Sequence, residues 1–436
     1  MTERNRELFA LIPASLLVTA GFAAVFIQRD DAVSDVSLIY GAIFLALCIA
    51  VHVVLRLKLP NADPYLFPLV AVLACFGLVM IYRIDDTLAR EQAQWFVAGL
   101  AAFAATVIGL GDHRKLERYR YVIALTGLVL LLLPRVPGIG QQVNGAYLGV
   151  NLGPISFQPA ELAKIAIVVF LASYLRDTRQ MLVQGARRIG GVTLPPLKHL
   201  GPLLAVWGLA MLLLVFIRDL GSSLMFFGGF LALIYVATNR LSFAAIGLAL
   251  FAGGTWFFAS TLPYVQDRVA TWRDPFDDRL YNEVGGSYQI AQSIFAQADG
   301  GLFGDGFAQS ILRTPEGIAL LPAAETDLIY AVITSELGLF GAVAVLCIYL
   351  LIIERGFKTA LLATDSFSKL LATGLTAVFA LQVFVIVGGV TKLIPLTGIT
   401  LPFISYGGSS IVANFILLAL LLLVSERARA DAKGAR

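Results

Sequence analysis

Twelve apolar runs of about 20 residues, parted by short polar breaks, constrain this chain more than any single motif in it. They lie near 8–27, 36–56, 66–82, 93–110, 119–134, 159–175, 200–217, 220–238, 241–262, 326–353, 367–391 and 406–425. Lipid offers no partner for a free backbone amide or carbonyl, so a continuous apolar run must cross as a helix that satisfies its own hydrogen bonds. Of the 436 residues 58% are hydrophobic and 14% charged, whereas a soluble domain carries about 25% charged residues. Soluble enzymes, fibres and disordered chains are excluded. The expectation is an all-α polytopic membrane protein of about twelve transmembrane helices, with one large loop between the ninth and the tenth.

That loop, 262–325, divides a first membrane part (61–261) from three last helices (326–425). A two-helix stretch (1–60) precedes the first part and a short tail (426–436) follows the last helices. With the N-terminus in the cytoplasm, about two thirds of the 32 Lys and Arg fall on the inner side, as the positive-inside rule requires. Arg114, Lys115, Arg118 and Arg120 in one inner loop, and Arg176, Arg179, Arg187, Arg188 and Lys198 in another, carry most of the bias and suit contact with anionic membrane lipids. Both termini are then cytoplasmic and the large loop external. The basic residues follow topology rather than forming a patch, so no nucleic-acid partner is expected. Cys48, Cys75 and Cys347 sit inside apolar runs as small core residues, and the isolated His52, His113 and His199 lack the spacing of a zinc site. The first run has no small-residue cleavage site after it and reads as a retained span. No internal repeat is visible.

Charged groups beside a membrane span are costly and therefore informative. Glu161 and Lys164, three residues apart in Gln158-Pro-Ala-Glu-Leu-Ala-Lys164, share one helix face, as a structural ion pair or as a pair that touches substrate. Asp219 precedes a helix, where it caps free amides or shapes a cavity wall. The loop holds Asp267, Asp274, Asp277, Asp278 and Glu283 among Arg268, Arg273 and Arg279, either a solvated face or a site. Lys392 precedes a Pro- and Gly-rich entry to the last helix, an ordinary turn or a place that offers amides to an anion. All of these gather on the external side. An amphipathic substrate, with an apolar tail in lipid and a charged or sugar-like head outside, fits that convergence.

Four segments in order resemble the SEDS family (shape, elongation, division and sporulation), which includes RodA and FtsW. They are Ile155-Ser-Phe-Gln-Pro-Ala-Glu-Leu-Ala-Lys164, Asp219-Leu-Gly-Ser-Ser223, Asp274-Pro-Phe-Asp-Asp278 with Gly286-Ser-Tyr-Gln-Ile-Ala-Gln-Ser293 and Gly300-Gly-Leu-Phe-Gly-Asp-Gly306, and Pro395-Leu-Thr-Gly-Ile-Thr-Leu-Pro-Phe-Ile-Ser-Tyr-Gly-Gly-Ser-Ser410. Thr326-Asp-Leu-Ile-Tyr330 and Ser335-Glu-Leu-Gly338 add to the likeness, which runs from about Leu66 to Val424. The first two spans lie outside it and resemble an addition found in actinobacterial RodA-type members.

The resemblance implies a peptidoglycan glycosyltransferase that polymerises lipid II into glycan strands outside the cytoplasmic membrane during cell elongation. Undecaprenyl pyrophosphate is the implied leaving group. Asp278 falls on the family's essential loop aspartate and is the expected base, its pKa raised by partial burial against Trp272 and Tyr288. Arg279 stands where the family has proline, and the stretch to Tyr288 is longer, which keeps Asp277 as a rival. Asn144-Gly-Ala-Tyr-Leu-Gly149 lacks the Arg and Trp common after Gly-Ala. Glu161, Lys164, Asp219, Lys392, Gln289, Tyr406 and Ser409 are the implied substrate-binding residues. A divalent cation (Mg²⁺ or Mn²⁺) is implied without a recognisable ligand set, and a class B penicillin-binding protein is the implied partner. A division-type polymerase, a lipid-linked precursor flippase and a scaffold for a synthase are the rival readings; a flippase needs polar groups through the bilayer, and few are found deep in the runs.

Overall fold

The computed structural model describes residues 3–28, 35–143, 146–153, 155–184, 187–189, 192–194, 197–282, 286–312 and 320–434. In chain order these form α1 (Glu3–Gln28), α2 (Asp35–Lys58), α3 (Leu66–Ile84), α4 (Asp86–Leu110), α5 (Lys115–Arg118) and α6 (Arg120–Leu132). Strands β1 (Gly140–Val143), β2 (Ala146–Leu152) and β3 (Ile155–Phe157) precede α7 (Pro159–Gln184). Next come β4 (Arg187–Ile189), β5 (Val192–Leu194), α8 (Leu197–Phe216), α9 (Leu220–Thr238) and α10 (Leu241–Thr261). The large loop holds α11 (Pro263–Arg273), α12 (Asp278–Asn282) and α13 (Tyr288–Gly300), and the chain ends with α14 (Ile329–Leu362), α15 (Ser366–Val390) and α16 (Gly408–Gly434).

Among the described residues nine helices are long and apolar enough to cross a membrane: α1 to α4, α9, α10 and α14 to α16. The chain is a multi-pass membrane protein. The other three apolar runs also fall on helices that meet the requirement less well. Helix α6 has 13 residues before a 3₁₀ turn at Leu133–Arg135, and the apolar part of α8 is the shorter Gly201–Phe216. Helix α7 has 26 residues but carries Glu161, Lys164, Arg176, Asp177 and Arg179. The architecture is all-α as expected, with a small antiparallel sheet β1-β2-β3 added in the connection between α6 and α7. Gly153, at φ 74°, sits between β2 and β3, where a positive φ favours glycine.

The chain forms two compact units, 1–111 with 267–355 and 382–422, and 112–266 with 356–381 and 423–436. In the first, α1 packs on α2 and α3, and α2 on α4. The N-terminal hairpin is pinned at one end by buried charge: Glu7 takes a hydrogen bond from Arg4 and meets His52 Nδ1 at 2.8 Å, while Arg4 also reaches the Ala62 carbonyl. Phe96 and Phe103 set their rings edge-on to Phe415. Helix α3 passes so close to the Phe403-Ile404 backbone that a methyl group on Gly77 would stand 2.5 Å from Ile404 Cα. Cys48 and Cys75 are buried as expected, but Cys347 is exposed on α14 and is not a core residue.

In the second unit α6 and α9 flank α7, and Trp207 of α8 stacks on Phe230 of α9 at 4.4 Å. Its polar end is a network: Arg176 bonds Glu117, Arg120 bonds Asp177, and Asp112 takes Arg114 at 2.9 Å. Beside it His113 Nε2 lies 2.5 Å from Ser368 Oγ. Part of the basic cluster expected to face lipid head groups is therefore spent on carboxylates of its own unit.

Candidate functional site

The first unit brings the large loop and the residues after α15 together. Carbonyl oxygens at the end of α15 and in the following turn accept four side chains from the loop helices. On α11, Arg268 donates to Leu396 O at 2.5 Å and Trp272 Nε1 to Lys392 O at 3.0 Å. The two are four residues apart and so on one helix face. On α13, Ser293 Oγ and Gln297 Nε2 donate to Val390 O at 3.1 and 2.9 Å. The turn thus offers carbonyls to protein side chains, where the sequence pattern left open an ordinary turn or amides presented to an anion. Lys392 has φ 60°, a left-handed conformation unfavourable for a side chain with a Cβ. Its amide bonds Gly389 O and its carbonyl bonds Trp272, so both faces of the strained peptide are held.

Helix α11 leads into the Asp274–Asp278 turn. Asp274 Oδ1 accepts the Phe276 amide at 3.3 Å. Asp277 Oδ1 accepts the amides of Arg279 and Leu280 at 3.0 and 3.2 Å, which makes it the N-cap of α12. Asp278 occupies the first position of that helix, solvent-exposed, and its carboxylate makes no hydrogen bond or ion pair to another described residue. The shielding expected from Trp272 and Tyr288 is absent. Trp272 is turned to Lys392, and Tyr288 packs edge-on to Tyr281 at 5.2 Å. Asp267, Arg273, Asp274 and Arg279 are exposed too, a solvated face around the two aspartates; Glu283 lies outside the described residues. Gln289 is half-buried in the first turn of α13.

Tyr406 and Ser409 flank the start of α16, both half-buried. The Tyr406 hydroxyl donates to Glu91 and its amide to Glu325 O at 2.8 Å. Burial first, and then the Glu91 carboxylate, push the phenol above its usual range, so it stays a donor. The preceding Thr400–Tyr406 stretch is a scaffold. Gln382 donates to Thr400 O at 3.0 Å, Tyr349 to Pro402 O at 2.6 Å, and Ser405 Oγ to Thr326 O at 2.7 Å.

In the second unit Lys164 Nζ lies 2.5 Å from Glu161 Oε2, the side chains 2% and 7% exposed. Both stand in the first turns of α7, and Lys164 borders a small apolar cavity with Ile167, Val168, Phe226 and Val378. Asp219 is buried and caps α9, with Oδ1 accepting the Ser222 amide at 2.9 Å. Its neighbour Arg218, at φ 65°, sets its guanidinium over the Tyr264 ring at 5.5 Å. Asn144 lies outside the described residues.

Two acids escaped the sequence reading. Glu336 on α14 is fully buried, 3.1 Å from Arg83 Nε, and accepts Ser310 Oγ at 2.8 Å and the Ala308 amide at 2.9 Å. Beside it the Gly300–Gly306 segment lies backbone to backbone on α14: a methyl on Gly304, at φ 81°, would stand 2.2 Å from Glu336 O. Asp327 lies just before α14, and burial raises its carboxyl to about 6 against the pull of Arg268. The signals were Thr326-Asp327 and Ser335-Glu336, motifs whose acids were quoted without a task. Among the described residues no group of three or more His, Cys, Asp or Glu could hold a metal. The described side chains therefore do not form a ready-made cage for a divalent cation.

The chain matches the family model of cell cycle proteins named for FtsW, RodA and SpoVE over residues 64–430. It is 43% identical to the peptidoglycan glycosyltransferase RodA of Mycobacterium tuberculosis, over 98% of this chain and 92% of that one. The stage V sporulation protein E of Bacillus subtilis is 32% identical over 85% of this chain and 99% of its own. Among solved structures, one described as a peptidoglycan synthase complex that coordinates polymerisation and crosslinking matches with TM-score 0.66 and 28% identity, over 84% of this chain and 98% of that one. The RodA rod-shape-determining protein of Thermus thermophilus matches with TM-score 0.59 and 26% identity, over 84% of this chain and 97% of that one.

Proposed function

Because the chain belongs to the FtsW, RodA and SpoVE family of cell cycle proteins, we propose that it is a peptidoglycan glycosyltransferase polymerising lipid II into glycan strands. Its higher identity to RodA, 43%, than to an FtsW, 31%, favours the elongation duty over division. The observation that carries the chemistry is the division of labour in the loop: Asp277 caps α12, which leaves the Asp278 carboxylate exposed and without a bond to another described residue.

In the proposed reaction Asp278 takes the proton of the acceptor sugar hydroxyl as that oxygen bonds the donor anomeric carbon. The bond from that carbon to the undecaprenyl pyrophosphate breaks, and its electron pair leaves with the pyrophosphate. A positioned base is worth about 10²- to 10⁴-fold in rate. Lys392, half-buried beside the loop helices, offsets charge on the leaving group, and Gln289, Tyr406 and Ser409 orient the sugars. In the second unit, taken by itself, Glu161, Lys164 and Asp219 are the proposed polar contacts for substrate. A divalent cation belongs to this reading as a counter-ion of the substrate's pyrophosphate, and no step is routed through it.

The bias of Lys and Arg supports cytoplasmic termini and an external loop, the side on which glycan strands are made. The likeness to a complex described as coordinating polymerisation and crosslinking supports a crosslinking partner of the class B penicillin-binding type. The test is polymerisation of fluorescent lipid II by the purified protein with and without that partner. Strands resolved on a gel support the reading. Their absence in every combination, with Mg²⁺ present, would sink it and turn attention to lipid flipping or scaffolding.

A further inference from the structure

Asp327 stands where two parts of the first unit meet the loop. Its own segment is tied to the scaffold ahead of α16: Glu325 O accepts the Tyr406 amide at 2.8 Å, and Thr326 O accepts Ser405 Oγ at 2.7 Å. On its other side is the turn after α15. Gly398, at φ 71°, lies so close that a methyl there would be 3.3 Å from Asp327 Oδ2. Arg268 of α11 is bonded to Leu396 O, two residues before Gly398, and supplies the main positive charge acting on the carboxylate; the Thr326 hydroxyl and the Glu325 carboxylate are the other groups that act on it. Arg268 in turn donates to Leu396 O, one helical turn from the bond that Trp272 makes to Lys392 O.

We propose that Asp327 is a positioning residue for strand polymerisation: acting through Arg268, it holds α11, and with it the turn that carries Asp278, against the turn that carries Lys392. The argument is one of charge and leverage. A lone carbonyl holds a guanidinium by one hydrogen bond, and a half-buried carboxylate nearby adds a field that keeps the cation at that end of α11. Helix α11 ends at Arg273, five residues before Asp278, so a displacement of its axis is passed to the base. An error of about 1 Å in such a group costs up to about 10²-fold in rate.

The inference rests on the polymerase reading, so its test has one arm that needs no turnover. Hydrogen exchange of the full chain, bound to its partner, should show faster exchange across α11 in Asp327→Asn and unchanged exchange in α13, which Val390 holds independently. Polymerisation of fluorescent lipid II should show kcat lowered about 10- to 100-fold with KM little changed, and part of the loss restored by Asp327→Glu. Wild-type rate should fall as pH drops through about 6, where Asp327 takes up a proton, and that limb should vanish in the Asn variant. Adding Asp327→Asn to Arg268→Gln should slow the enzyme no further. Unchanged exchange in α11, or losses that multiply in the double variant, overturn the inference. Faster exchange across α11 in Asp327→Asn, beside a wild-type protein that makes no strands, overturns only the polymerase reading.

Discussion

Asp277 and Asp278 are adjacent in sequence and oppositely employed: one carboxylate closes the first turn of α12 with two backbone amides, and the other stands exposed beside it. An N-cap carboxylate is oriented by the helix it caps and contributes about 1 kcal/mol to that helix. Its neighbour at the first helical position projects away from the amides and is left for chemistry.

Asp278→Asn should therefore lower strand formation by about 10²- to 10⁴-fold with unaltered thermal stability. Asp277→Asn should stay within a few-fold of wild type, since Asn caps as well as Asp. The pair of variants is read on a strand-resolving gel. Equal loss in both would mean that the turn, rather than one carboxylate, is what the reaction needs.

The loop helices should be sensitive to the bonds that fasten them. Trp272→Phe keeps the ring and deletes the donor to Lys392 O, a net loss of about 1 kcal/mol. If that bond helps place α11, kcat should fall about fivefold, the rate equivalent of that energy, while the melting temperature moves by only a few degrees. An unchanged kcat would show that Arg268 alone positions the helix.

Long apolar runs were readable because lipid demands them: α1 to α4, α9, α10 and α14 to α16 fall where hydropathy placed spans. Single residues at polar turns were readable in part: Asp219 before Leu-Gly-Ser-Ser suits a cap or a cavity wall, and its carboxylate does cap α9. The strands β1 to β3 were not, since segments of four, seven and three residues are too short to stand out beside the longer apolar runs. Nor was the task of Trp272. The sequence places it near Asp278 and suggests shielding, whereas its indole reaches a carbonyl 120 residues away. Glu336 and Asp327 were missed for the same reason, because a buried acid is recognised by its partners, and Arg83 and Arg268 are distant in the chain.

Glu336 should behave as a structural acid. Its carboxylate gathers Arg83, Ser310 and the Ala308 amide and so clamps the residues after the Gly-rich turn onto α14. Glu336→Ala leaves Arg83 without its carboxylate and should cost about 3–5 kcal/mol. Gly304→Ala should destabilise in the same direction, through the collision with Glu336 O and an unfavourable positive φ. Melting in detergent measures both. A Glu336→Ala protein that melts like wild type would show that the clamp is dispensable for the fold.

The buried pair Glu161 and Lys164 separates stability from substrate contact. Removing one partner strands a charge at a site that is 2% or 7% exposed, so Lys164→Met alone should destabilise by several kcal/mol. Replacing both, as Glu161→Gln with Lys164→Met, removes the stranded charge and should restore most of the melting temperature, because paired buried ions contribute little net stability. Polymerisation then decides between the two uses of the pair. A purely structural pair predicts that the double variant recovers activity along with stability. A substrate-contacting pair predicts a stable double variant that still fails to make strands, and that second outcome is the one that the proposed contact with substrate requires of a pair only 2% and 7% exposed beside a small apolar cavity.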